Sequence, residues 1–430
     1  MEKILRTIKR YIPRRVFLTL APTYHYLLAL SGAVFYRFPS RELTVVAITG
    51  TKGKSSTAEI LNAILEAAGK KTALAGTIRF KIGDTSKPNL YKMTMPGRFF
   101  IQRFLRQAVT AGCKIAIVEM TSEAARQHRH LFIDFDALIF LNISPEHIES
   151  HGSFEKYLAA KLKLATALEH SSKPQKILVT NADDKESEKF ERAAPSATNV
   201  HFALADAEPY SLDHFGFYFT LDGKNIRSHL QGTFNIKNIL AAVAYARTLG
   251  VTVDQVERGL MALSGIAGRV QKISLPENHP LAKRQLFTVV VDYAHTADSL
   301  EKVYGIFKDS RKICVLGNTG GGRDRWKRPE MAKVANDNCW RIILTNEDPY
   351  DENPRAIIDE MLPGIISTPH EIIMDRRQAI HKALSIAQPN DTVLITGKGT
   401  DPYIMGSRGS KIPWSDATVA REELEKVLSV

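Results

Sequence analysis

The residues with the most specific chemical meaning form one short loop, Gly50-Thr51-Lys52-Gly53-Lys54-Ser55-Ser56. An apolar strand pattern precedes the loop and a helix pattern follows it, an arrangement that directs backbone N–H groups and the positive helix end at an anion. The Lys54 ammonium can reach the β- and γ-phosphates of a nucleotide, and the Ser55 hydroxyl can ligate Mg²⁺. A standard Walker A loop places its first glycine where this chain has Ile48. The sequence therefore predicts a variant phosphate loop.

Acidic and imidazole side chains follow two other strand patterns. Glu119 ends the strand pattern 114–120, and ligands of α/β sheets bind at this edge. A carboxylate there suits Mg²⁺, which prefers oxygen ligands, although an exposed acid at a strand end is the alternative. His147 and His151 are four residues apart and could share a helical face as zinc ligands, but no third ligand has zinc spacing. One histidine near Mg²⁺ is therefore the better interpretation.

Lys161 stands out because it lies within an apolar helical stripe. In the helix pattern 154–170 the apolar positions surround Lys161, whereas Lys163 points elsewhere. An inward lysine is usually ion-paired or extends its ammonium to water. A lysine with a lowered pKa can instead be reactive or chemically modified. The residues alone favour the first interpretation.

The order of strand and helix patterns indicates an α/β fold with parallel sheets. Strand patterns begin at residue 43 and alternate with helices, residues 200–231 are more β-like, and the alternation restarts near residue 270. We therefore expect an N-terminal helical extension over 1–42, a P-loop-type central ATPase domain with a mostly parallel sheet over 43–270, and a second α/β domain over 271–430.

Composition limits the class of protein. The 430 residues have ordinary apolar and charged contents for a globular protein, and the net charge is +12. This charge admits nucleic acid, a membrane surface or an anionic substrate as partner, although a solvated surface accounts for most of it. Cys113, Cys314 and Cys339 are far apart, show no metal spacing, and suggest a reducing compartment without a disulfide framework.

The N-terminal segment 16–38 is apolar and aromatic. Pro22 and His25 interrupt it, so the uninterrupted stretch is too short to span a bilayer. It lacks a signal-peptide cleavage pattern, and we expect a cytoplasmic protein. The segment is expected to form a helix packed on the body of the protein, with contact to a membrane surface or a partner as the alternative.

Several motifs together resemble one family, the Mur ligases, which are ATP-dependent, amide-forming enzymes of cell-wall precursor synthesis. The resemblance covers about residues 43 to 405 and is closest to members that add the third residue to UDP-MurNAc-L-Ala-D-Glu. Eight motifs occur in order, with "TNEDPYDENP" and "GKGTD" following them. They are "TGTKGKSS", "TMP", "EMTSEAARQHR", "NISPEHIESHG", "AAK", "GTFNIKNILAA", "VDYAHTADSLE" and "GNTGGGRDRWKRPEM".

The resemblance implies a role for each matching residue. Lys54 would hold the ATP phosphates, Ser55 and Glu119 would hold Mg²⁺, and His147 would ligate a second Mg²⁺. Lys161 falls on the family's carbamylated lysine, which reverses the interpretation from the residues alone. The remaining positions concern nucleotide and substrates. Asn235 and Asn238 would contact adenine, Arg269 and Asp292 would complete the nucleotide site, Thr94, Thr121, Gln127 and Arg129 would hold the sugar-peptide, and Arg328, Asp348, Tyr350 and Asp401 would surround the incoming amino acid.

The resemblance also implies a Rossmann-like C-terminal domain and a reaction. The acceptor carboxylate would attack the γ-phosphate, and the amine of the added amino acid would then displace phosphate from the acyl phosphate. The C-terminal domain must close on the central domain for this step. The expected partners are small molecules, without nucleic acid, and the expected roles are in peptidoglycan synthesis, cell shape and cell division.

Three departures from the family pattern affect these expectations. Only about 42 residues precede the first strand, too few for the family's UDP-binding domain, so the acceptor's UDP is in question. Diaminopimelate-adding members have Asp-Asn-Pro-Arg, whereas this chain has Glu347-Asp348-Pro349-Tyr350, and tyrosine cannot make the bidentate charged pair. Arg355 or Arg328 could compensate, and lysine or another amino acid is open. Asp401 replaces the glutamate of the usual Gly-Lys-Gly-His-Glu.

Three other functions remain as alternatives. A folylpolyglutamate or other polyglutamate ligase shares the central chemistry and also lacks the UDP-binding domain, although "VDYAHTADSLE" favours the Mur ligases. A non-catalytic nucleotide-binding partner of a cell-wall complex would not need Lys54, Glu119, His147 and Lys161 together. A nucleic-acid binder would explain the charge but has no recognisable module. The sequence does not fix the oligomeric state.

Overall fold

The computed structural model describes residues 14–146, 148–213 and 215–429. The predicted metal ligand His147 lies outside the described residues. The α-helices are α1 (Arg14–Phe35), α2 (Lys54–Ala67), α3 (Arg98–Thr110), α4 (Ser122–Arg126), α5 (Ile148–His151), α6 (Phe154–Glu169), α7 (Ser187–Ala193), α8 (Thr233–Thr248), α9 (Val253–Ala262), α10 (Ala297–Ile306), α11 (Lys327–Asn338), α12 (Pro354–Asp359), α13 (Arg376–Ser385) and α14 (Asp416–Ser429).

The strands form separate sheets along the chain. They are β1 (Thr44–Thr49), β2 (Thr72–Ala75), β3 (Arg79–Ile82), β4 (Thr85–Pro88), β5 (Ile115–Glu119), β6 (Ala137–Phe140), β7 (Ile177–Asn181), β8 (Thr198–Phe202), β9 (Tyr210–Asp213), β10 (Gly216–Leu221), β11 (Lys224–Ser228), β12 (Gln271–Lys272), β13 (Thr288–Asp292), β14 (Lys312–Leu316), β15 (Arg341–Leu344), β16 (His370–Ile372), β17 (Thr392–Thr396), β18 (Tyr403–Met405) and β19 (Lys411–Pro413).

The central sheet has the order β4-β3-β2-β5-β1-β6-β7-β8. The six neighbouring strands β2, β5, β1, β6, β7 and β8 are parallel, and β3 and β4 add an antiparallel edge. Its central strands are mostly apolar and almost entirely buried, as expected for a parallel sheet covered by helices on both faces. Ile48 of β1 pairs with Glu119 of β5, so the phosphate loop and the predicted metal ligand leave the same edge. Strands β9 to β11 form a small antiparallel sheet, as the β-like pattern over 200–231 predicts.

The C-terminal sheet has the order β12-β13-β17-β14-β15-β16 and is parallel except for β12. Helices cover both faces, with α10 and α11 on one core and α13 and α14 on the other. The predicted α/β class, with a parallel central domain and a Rossmann-like C-terminal domain, is therefore confirmed. The first strand of the C-terminal sheet, β12, begins at Gln271, next to the expected domain junction.

The N-terminal helix α1 packs on α3, as the sequence predicts for this segment. Ala29 and Ala33 are buried in this contact, and Gly32 lies close to Phe99. The side chains of Leu27 and Phe35 are exposed. Among the helices of the described residues, none is long and apolar enough to cross a membrane.

The expectation that the cysteines form no disulfide is wrong. Cys314 in β14 and Cys339 after α11 are joined by a disulfide, with their Cα atoms 6.2 Å apart. They are 25 residues apart in sequence, but helix α11 returns the chain so that β15 pairs alongside β14. Sequence spacing does not show this proximity because it depends on the crossover. Cys113 is a buried free thiol.

Helix α9 lies very close to helix α2, the helix that follows the phosphate loop. A Cβ atom at Gly259 would lie 2.6 Å from the Ile64 Cα atom and 2.9 Å from the Ala63 carbonyl oxygen. Both neighbours are backbone atoms of α2, so they cannot move aside as a flexible side chain would. The absence of a side chain at Gly259 thus sets the distance between the two helices.

We predict that Gly259→Ala lowers the free energy of unfolding by about 1–3 kcal/mol, because the new methyl group forces the helices apart. Gly305→Ala is the matched control, since Gly305 is also helical and a Cβ atom there would meet nothing within 4 Å. Urea unfolding should show the control unchanged or more stable by about 0.5–1 kcal/mol. Equal stability of the two variants would contradict the close-packing argument.

Candidate active site

A cleft of about 1030 Å³ lies between the central and C-terminal domains. The central domain contributes the phosphate loop and the ends of its neighbouring strands. The C-terminal domain contributes residues after β13, among them Tyr293 and His295, and Asp401 after β17. The cleft therefore lies at the carboxyl ends of the parallel strands, where ligands bind in such sheets.

The phosphate loop has the backbone geometry of an anion site. Gly53 precedes helix α2 with φ 87°, a left-handed conformation that favours glycine. A Cβ atom at Gly53 would lie 2.3 Å from the Asn238 Oδ1 atom, so glycine is also required by space. The Lys52 N–H donates to Asn142 Oδ1 at 2.9 Å, which fixes the loop against the end of β6. Ser56 lines the cleft in the first turn of the helix.

The Lys54 side chain folds back over the loop. Its Nζ atom donates to the Gly50 carbonyl oxygen at 2.8 Å and to the Thr51 carbonyl oxygen at 3.0 Å. Burial lowers the pKa of Lys54 to about 8, although the carboxylates of Glu119 and Glu146 oppose this shift. The ammonium is thus held within the loop that is predicted to bind phosphate.

Ser55 and Glu119 form a pair of oxygen ligands. The Ser55 hydroxyl donates to Glu119 Oε2 at 2.9 Å. The backbone N–H of Thr77 donates to Glu119 Oε1 at 2.8 Å, and its hydroxyl donates to Oε2 at 3.0 Å. Burial raises the pKa of Glu119, while the Thr77 contacts and the Lys54 charge oppose the rise. This donor set fits Mg²⁺, which binds proteins through one or two carboxylates together with substrate phosphates.

The histidine motif has only partly been placed, because His147 is not described. His151 is buried beside the cleft, and its Nε2 atom lies 3.1 Å from the Ser122 hydroxyl. Within residues 14–146, 148–213 and 215–429, the structure groups no three His, Cys, Asp or Glu side chains as a metal site. A metal in this cleft would therefore need ligands beyond the described protein side chains, such as phosphate oxygens.

Lys161 points inward, as its place within the apolar helical stripe predicts. The residue is only 1% exposed, and its Nζ atom donates to the Gly50 carbonyl oxygen at 2.8 Å. That carbonyl also accepts from Lys54, so two amino groups converge on one acceptor. Burial lowers the pKa of Lys161 well below its usual value, and the Lys54 charge adds to this effect. Burial and the Lys54 charge therefore shift the equilibrium at Lys161 toward the neutral amine.

Three of the four residues predicted to complete the nucleotide site line the cleft, and Asn235 does not. Asn238 lines the cleft, whereas Asn235 lies behind it and accepts from Asn238 Nδ2 at 2.9 Å. Arg269 also lines the cleft, 4.5 Å above the Tyr293 ring. Asp292 accepts from the backbone N–H groups of residues 270 and 294 at 2.7 and 2.6 Å, and burial raises the pKa of its carboxyl.

The four residues predicted to hold the sugar-peptide all line the cleft. They are Thr94, Thr121, Gln127 and Arg129. The Thr94 hydroxyl lies 2.9 Å from that of Thr77, next to Glu119. The Arg129 Nη2 atom donates to Gln127 Oε1 at 2.8 Å. The structure thus places these side chains along one wall that ends at the phosphate loop.

Of the four residues predicted to surround the incoming amino acid, only one lines the cleft. Asp401 lines the cleft, but Arg328, Asp348 and Tyr350 lie behind its wall. Arg328 is buried, and its Nη1 and Nη2 atoms pair with Glu360 and Glu352 at 2.7 and 2.9 Å. Arg328 was expected to replace the arginine missing at Tyr350, but both of its terminal nitrogen atoms are already paired with glutamates. Arg355 pairs with Asp359 at 2.9 Å, also outside the cleft wall.

Sequence reasoning missed several side chains of the cleft. Thr77 follows the end of β2, so the strand-end signal that identified Glu119 could also have identified it. Glu146 lies within the quoted histidine motif and pairs with Lys52 at 2.9 Å and with His295 of the other domain at 3.4 Å. Lys92, from the central domain, contacts Asp348 and Asp401 of the C-terminal domain. No pattern in the sequence indicates that last contact.

Two family models match the chain, the Mur ligase middle domain over residues 48–246 and the Mur ligase glutamate ligase domain over 279–399. The UDP-N-acetylmuramoyl-L-alanyl-D-glutamate–2,6-diaminopimelate ligase of Bacillus cereus is 34% identical over 92% of this chain and 81% of that protein. A UDP-N-acetylmuramyl-tripeptide synthetase of a Roseiflexus species is 35% identical over 94% of this chain and 83% of that protein. The chain belongs to the Mur ligase family.

Solved structures agree with this assignment. A UDP-N-acetylmuramoyl-L-alanyl-D-glutamate–2,6-diaminopimelate ligase superposes with a TM-score of 0.60 at 27% identity, over 89% of this chain and 78% of that one. A Mycobacterium tuberculosis folylpolyglutamate synthase has a TM-score of 0.66 at 16% identity, over 89% of this chain and 97% of that one, and shares the fold. The protein is an ATP-dependent, ADP-forming ligase of the kind that the family comprises, and the family uses ATP and Mg²⁺.

We predict that nucleotide affinity falls as pH rises through the lowered pKa of Lys54. Below about pH 8 the Lys54 side chain is an ammonium that attracts phosphate. Above about pH 8 most Lys54 amines are neutral, so the amine must first take up a proton before the protein binds nucleotide with the same affinity. Titration of the wild-type protein with a non-hydrolysable ATP analogue should show about a tenfold loss of affinity from pH 7 to pH 9. Lys54→Met should bind weakly with little pH dependence, and an equal pH slope in this variant would contradict the assignment.

Proposed function

We propose that the protein joins an amino acid to the carboxylate of a muramyl-peptide acceptor in an ATP-dependent reaction. The single observation that carries this proposal is the convergence of Lys54, Lys161 and the Ser55–Glu119 pair at one end of an interdomain cleft. The names of the relatives supply the acceptor class, because they describe ligases that extend UDP-N-acetylmuramoyl peptides. The residues of the sugar-peptide wall, Thr94, Thr121, Gln127 and Arg129, would face this acceptor.

The reaction has two bond-forming steps. An acceptor carboxylate oxygen attacks the γ-phosphorus of ATP, the bond to the β-phosphate oxygen breaks, and ADP leaves with the electron pair. The amine nitrogen of the amino acid then attacks the carbonyl carbon of the acyl phosphate. Phosphate leaves with the carbon–oxygen electron pair, and the nitrogen loses its proton. The Lys54 ammonium would stabilise the charge of the transferring phosphoryl group.

Mg²⁺ would be held by the Ser55 hydroxyl and the Glu119 carboxylate, together with phosphate oxygens. When bound, it would supply charge neutralisation at the phosphates. A second Mg²⁺ would take its protein ligands from His147 and from a carbamate on Lys161. Before nucleotide binding, the Ser55–Glu119 hydrogen bond keeps both oxygens together and limits the reorganisation needed.

The surroundings of Lys161 support its proposed carbamylation. The neutral amine attacks the carbon of CO₂, a nitrogen–carbon bond forms, one carbon–oxygen π pair moves to oxygen, and the nitrogen releases a proton. The product is an anion, so it places a negative charge beside the Lys54 ammonium. Burial excludes water and lowers the pKa of Lys161, which keeps the amine un-ionised and reactive.

The amino acid and the acceptor's nucleotide are open within this proposal. Tyr350 replaces the arginine that would bind the distal carboxylate of diaminopimelate. Arg328 is paired with two glutamates, and Arg355 lies outside the cleft wall. The acceptor can carry UDP or lack it. A cytoplasmic location and roles in cell shape and division accompany the assignment to peptidoglycan synthesis and stay predictions.

We predict that phosphate release requires ATP, a muramyl dipeptide acceptor and an amino acid together. Acceptors with and without UDP, crossed with lysine, diaminopimelate and glutamate, should identify one productive pair. Lys54→Ala should reduce its turnover by at least about a hundredfold, because it removes a transition-state charge partner. Productive glutamate transfer to a folate acceptor, with no turnover of muramyl acceptors, would support a polyglutamate ligase instead.

We predict that Lys161 carries a carbamate. In buffer with ¹³C-bicarbonate, the wild-type protein should give a carbamate carbon resonance that Lys161→Ala lacks, and Lys161→Ala should lose ligation. Lys163→Ala is the matched control, because Lys163 is exposed on the same helix. A resonance that persists in Lys161→Ala and disappears in Lys163→Ala would place the carbamate on the wrong lysine, and full ligation by Lys161→Ala would remove Lys161 from the mechanism.

A further inference from the structure

The outer side of helix α1 carries large apolar side chains. Four of them share one face by their helical spacing and are 41 to 71% exposed, namely Tyr24, Leu27, Val34 and Phe35. The opposite side of the helix packs on α3 through the buried Ala29 and Ala33. A helix on a protein surface normally turns polar side chains outward. The outer side of α1 therefore has the composition of a contact surface rather than of a solvated one.

Helix α3 extends this apolar face with one exposed phenylalanine. The Phe99 ring lies 6.4 Å from the Phe35 ring, measured between ring centres, and the Phe35 ring meets the Tyr36 ring edge-on at 4.9 Å. We call the four exposed residues of α1 together with Phe99 the α1 surface. Aromatic side chains are enriched where proteins meet the boundary between water and lipid, and tyrosine adds a polar tip that can face water.

The charged side chains beside the α1 surface include two unpaired arginines. Arg37 follows the helix, and Arg103 lies one turn after Phe99 on α3, and both are exposed. Arg41 and Arg106 nearby already pair with acids. Arg37 and Arg103 pair with no carboxylate in the part of the chain that the structure describes. Two guanidinium groups therefore stand beside the apolar stripe without a counter-charge from the protein.

The sequence around α1 adds to this positive charge. Residues 1–41 contain eight lysine and arginine residues and one acid, Glu2. An apolar helical stripe with basic residues beside it is typical of a helix that lies in the plane of an anionic membrane. A second copy of the chain is a poorer occupant, because a symmetric contact would bring the same arginines of both copies together. Charge complementarity thus favours an anionic lipid surface.

The α1 surface lies next to the wall of the cleft that holds Thr94, Thr121, Gln127 and Arg129. Helix α3, on which α1 packs, begins at Arg98, and the Arg98 guanidinium donates to the Gln127 carbonyl oxygen of this wall. A lipid surface bound by α1 would therefore lie beside this end of the cleft.

We propose that the α1 surface rests on an anionic phospholipid membrane. Leu27 and Phe35 enter the boundary between headgroups and acyl chains, and Arg37 and Arg103 meet the lipid phosphates. The apolar side chains contribute affinity by leaving water, and the arginines contribute it by attraction to the negative surface. The inference is independent of the proposed ligase function, because it depends on α1 and α3 and on no residue that binds nucleotide or substrate.

Sedimentation of the full chain with lipid vesicles tests this inference without any substrate. The probes are vesicles of phosphatidylcholine alone and of phosphatidylcholine with the anionic phosphatidylglycerol at about two to one. Wild-type protein should bind the anionic vesicles at least about tenfold more tightly than the neutral ones, and added salt should weaken the binding. The double variant Leu27→Gln, Phe35→Gln should lower the affinity by at least about tenfold, because two apolar side chains no longer enter the membrane.

Ile366→Gln is the matched control, because Ile366 is an apolar residue of the C-terminal domain that is 83% exposed. It should bind vesicles as the wild type does. The double variant Arg37→Gln, Arg103→Gln should lose about tenfold or more of its affinity for anionic vesicles and keep its affinity for neutral ones. All the substituted residues are exposed, so every variant should keep the thermal unfolding temperature of the wild type.

Three results would overturn the inference. They are no binding of the wild type to anionic vesicles, equal affinity of the wild type for both vesicles, and wild-type affinity in the Leu27→Gln, Phe35→Gln variant. Self-association in the absence of lipid that Phe35→Gln abolishes, without vesicle binding, would assign the α1 surface to a second copy instead. Ligation without vesicle binding would refute only this inference, whereas vesicle binding without any ligation would refute only the proposed function.

Discussion

The candidate active site depends on one backbone carbonyl, that of Gly50. It accepts from both Lys54 and Lys161 at 2.8 Å, in a place from which water is largely excluded. Two ammonium groups cannot share such a position without strong repulsion, so one of the two amines must be neutral or leave. The more buried one, Lys161, has the more strongly lowered pKa. This arrangement supports the proposed division of roles, in which Lys54 is a phosphate-binding cation and Lys161 a reactive amine.

The fold serves to create that arrangement. Strand β1 ends at Thr49 and places Gly50 at the carboxyl edge, and helix α6 approaches the same edge after β6 with its apolar face inward. Strand β5, paired beside β1, brings Glu119 alongside. Tyr157 lies one turn before Lys161, and its hydroxyl is 3.0 Å from that of Thr51. This contact joins helix α6 directly to the phosphate loop.

Local patterns were enough to predict the fold and this end of the site. Apolar strand runs, the glycine turn and the inward position of Lys161 depend on neighbours in sequence, and the resemblance assigned their roles. The Cys314–Cys339 pair and the Lys92 contact depend on how distant elements meet, which no local pattern encodes. A local motif can also mislead. It identified Arg328 as a substrate residue, but Glu352 and Glu360 from a later segment bind its guanidinium.

The buried Arg328 is not available to replace the arginine that diaminopimelate-adding members have in the place of Tyr350. To bind a substrate carboxylate, the buried Arg328 guanidinium would have to give up its ion pairs with Glu352 and Glu360. Arg376, also buried, is committed in the same way to Asp416 at 2.7 Å. Both arginines are therefore committed to carboxylates within the C-terminal domain, whereas Asp401 lines the cleft. A cation from the central domain, Lys92, pairs with the Asp401 carboxylate.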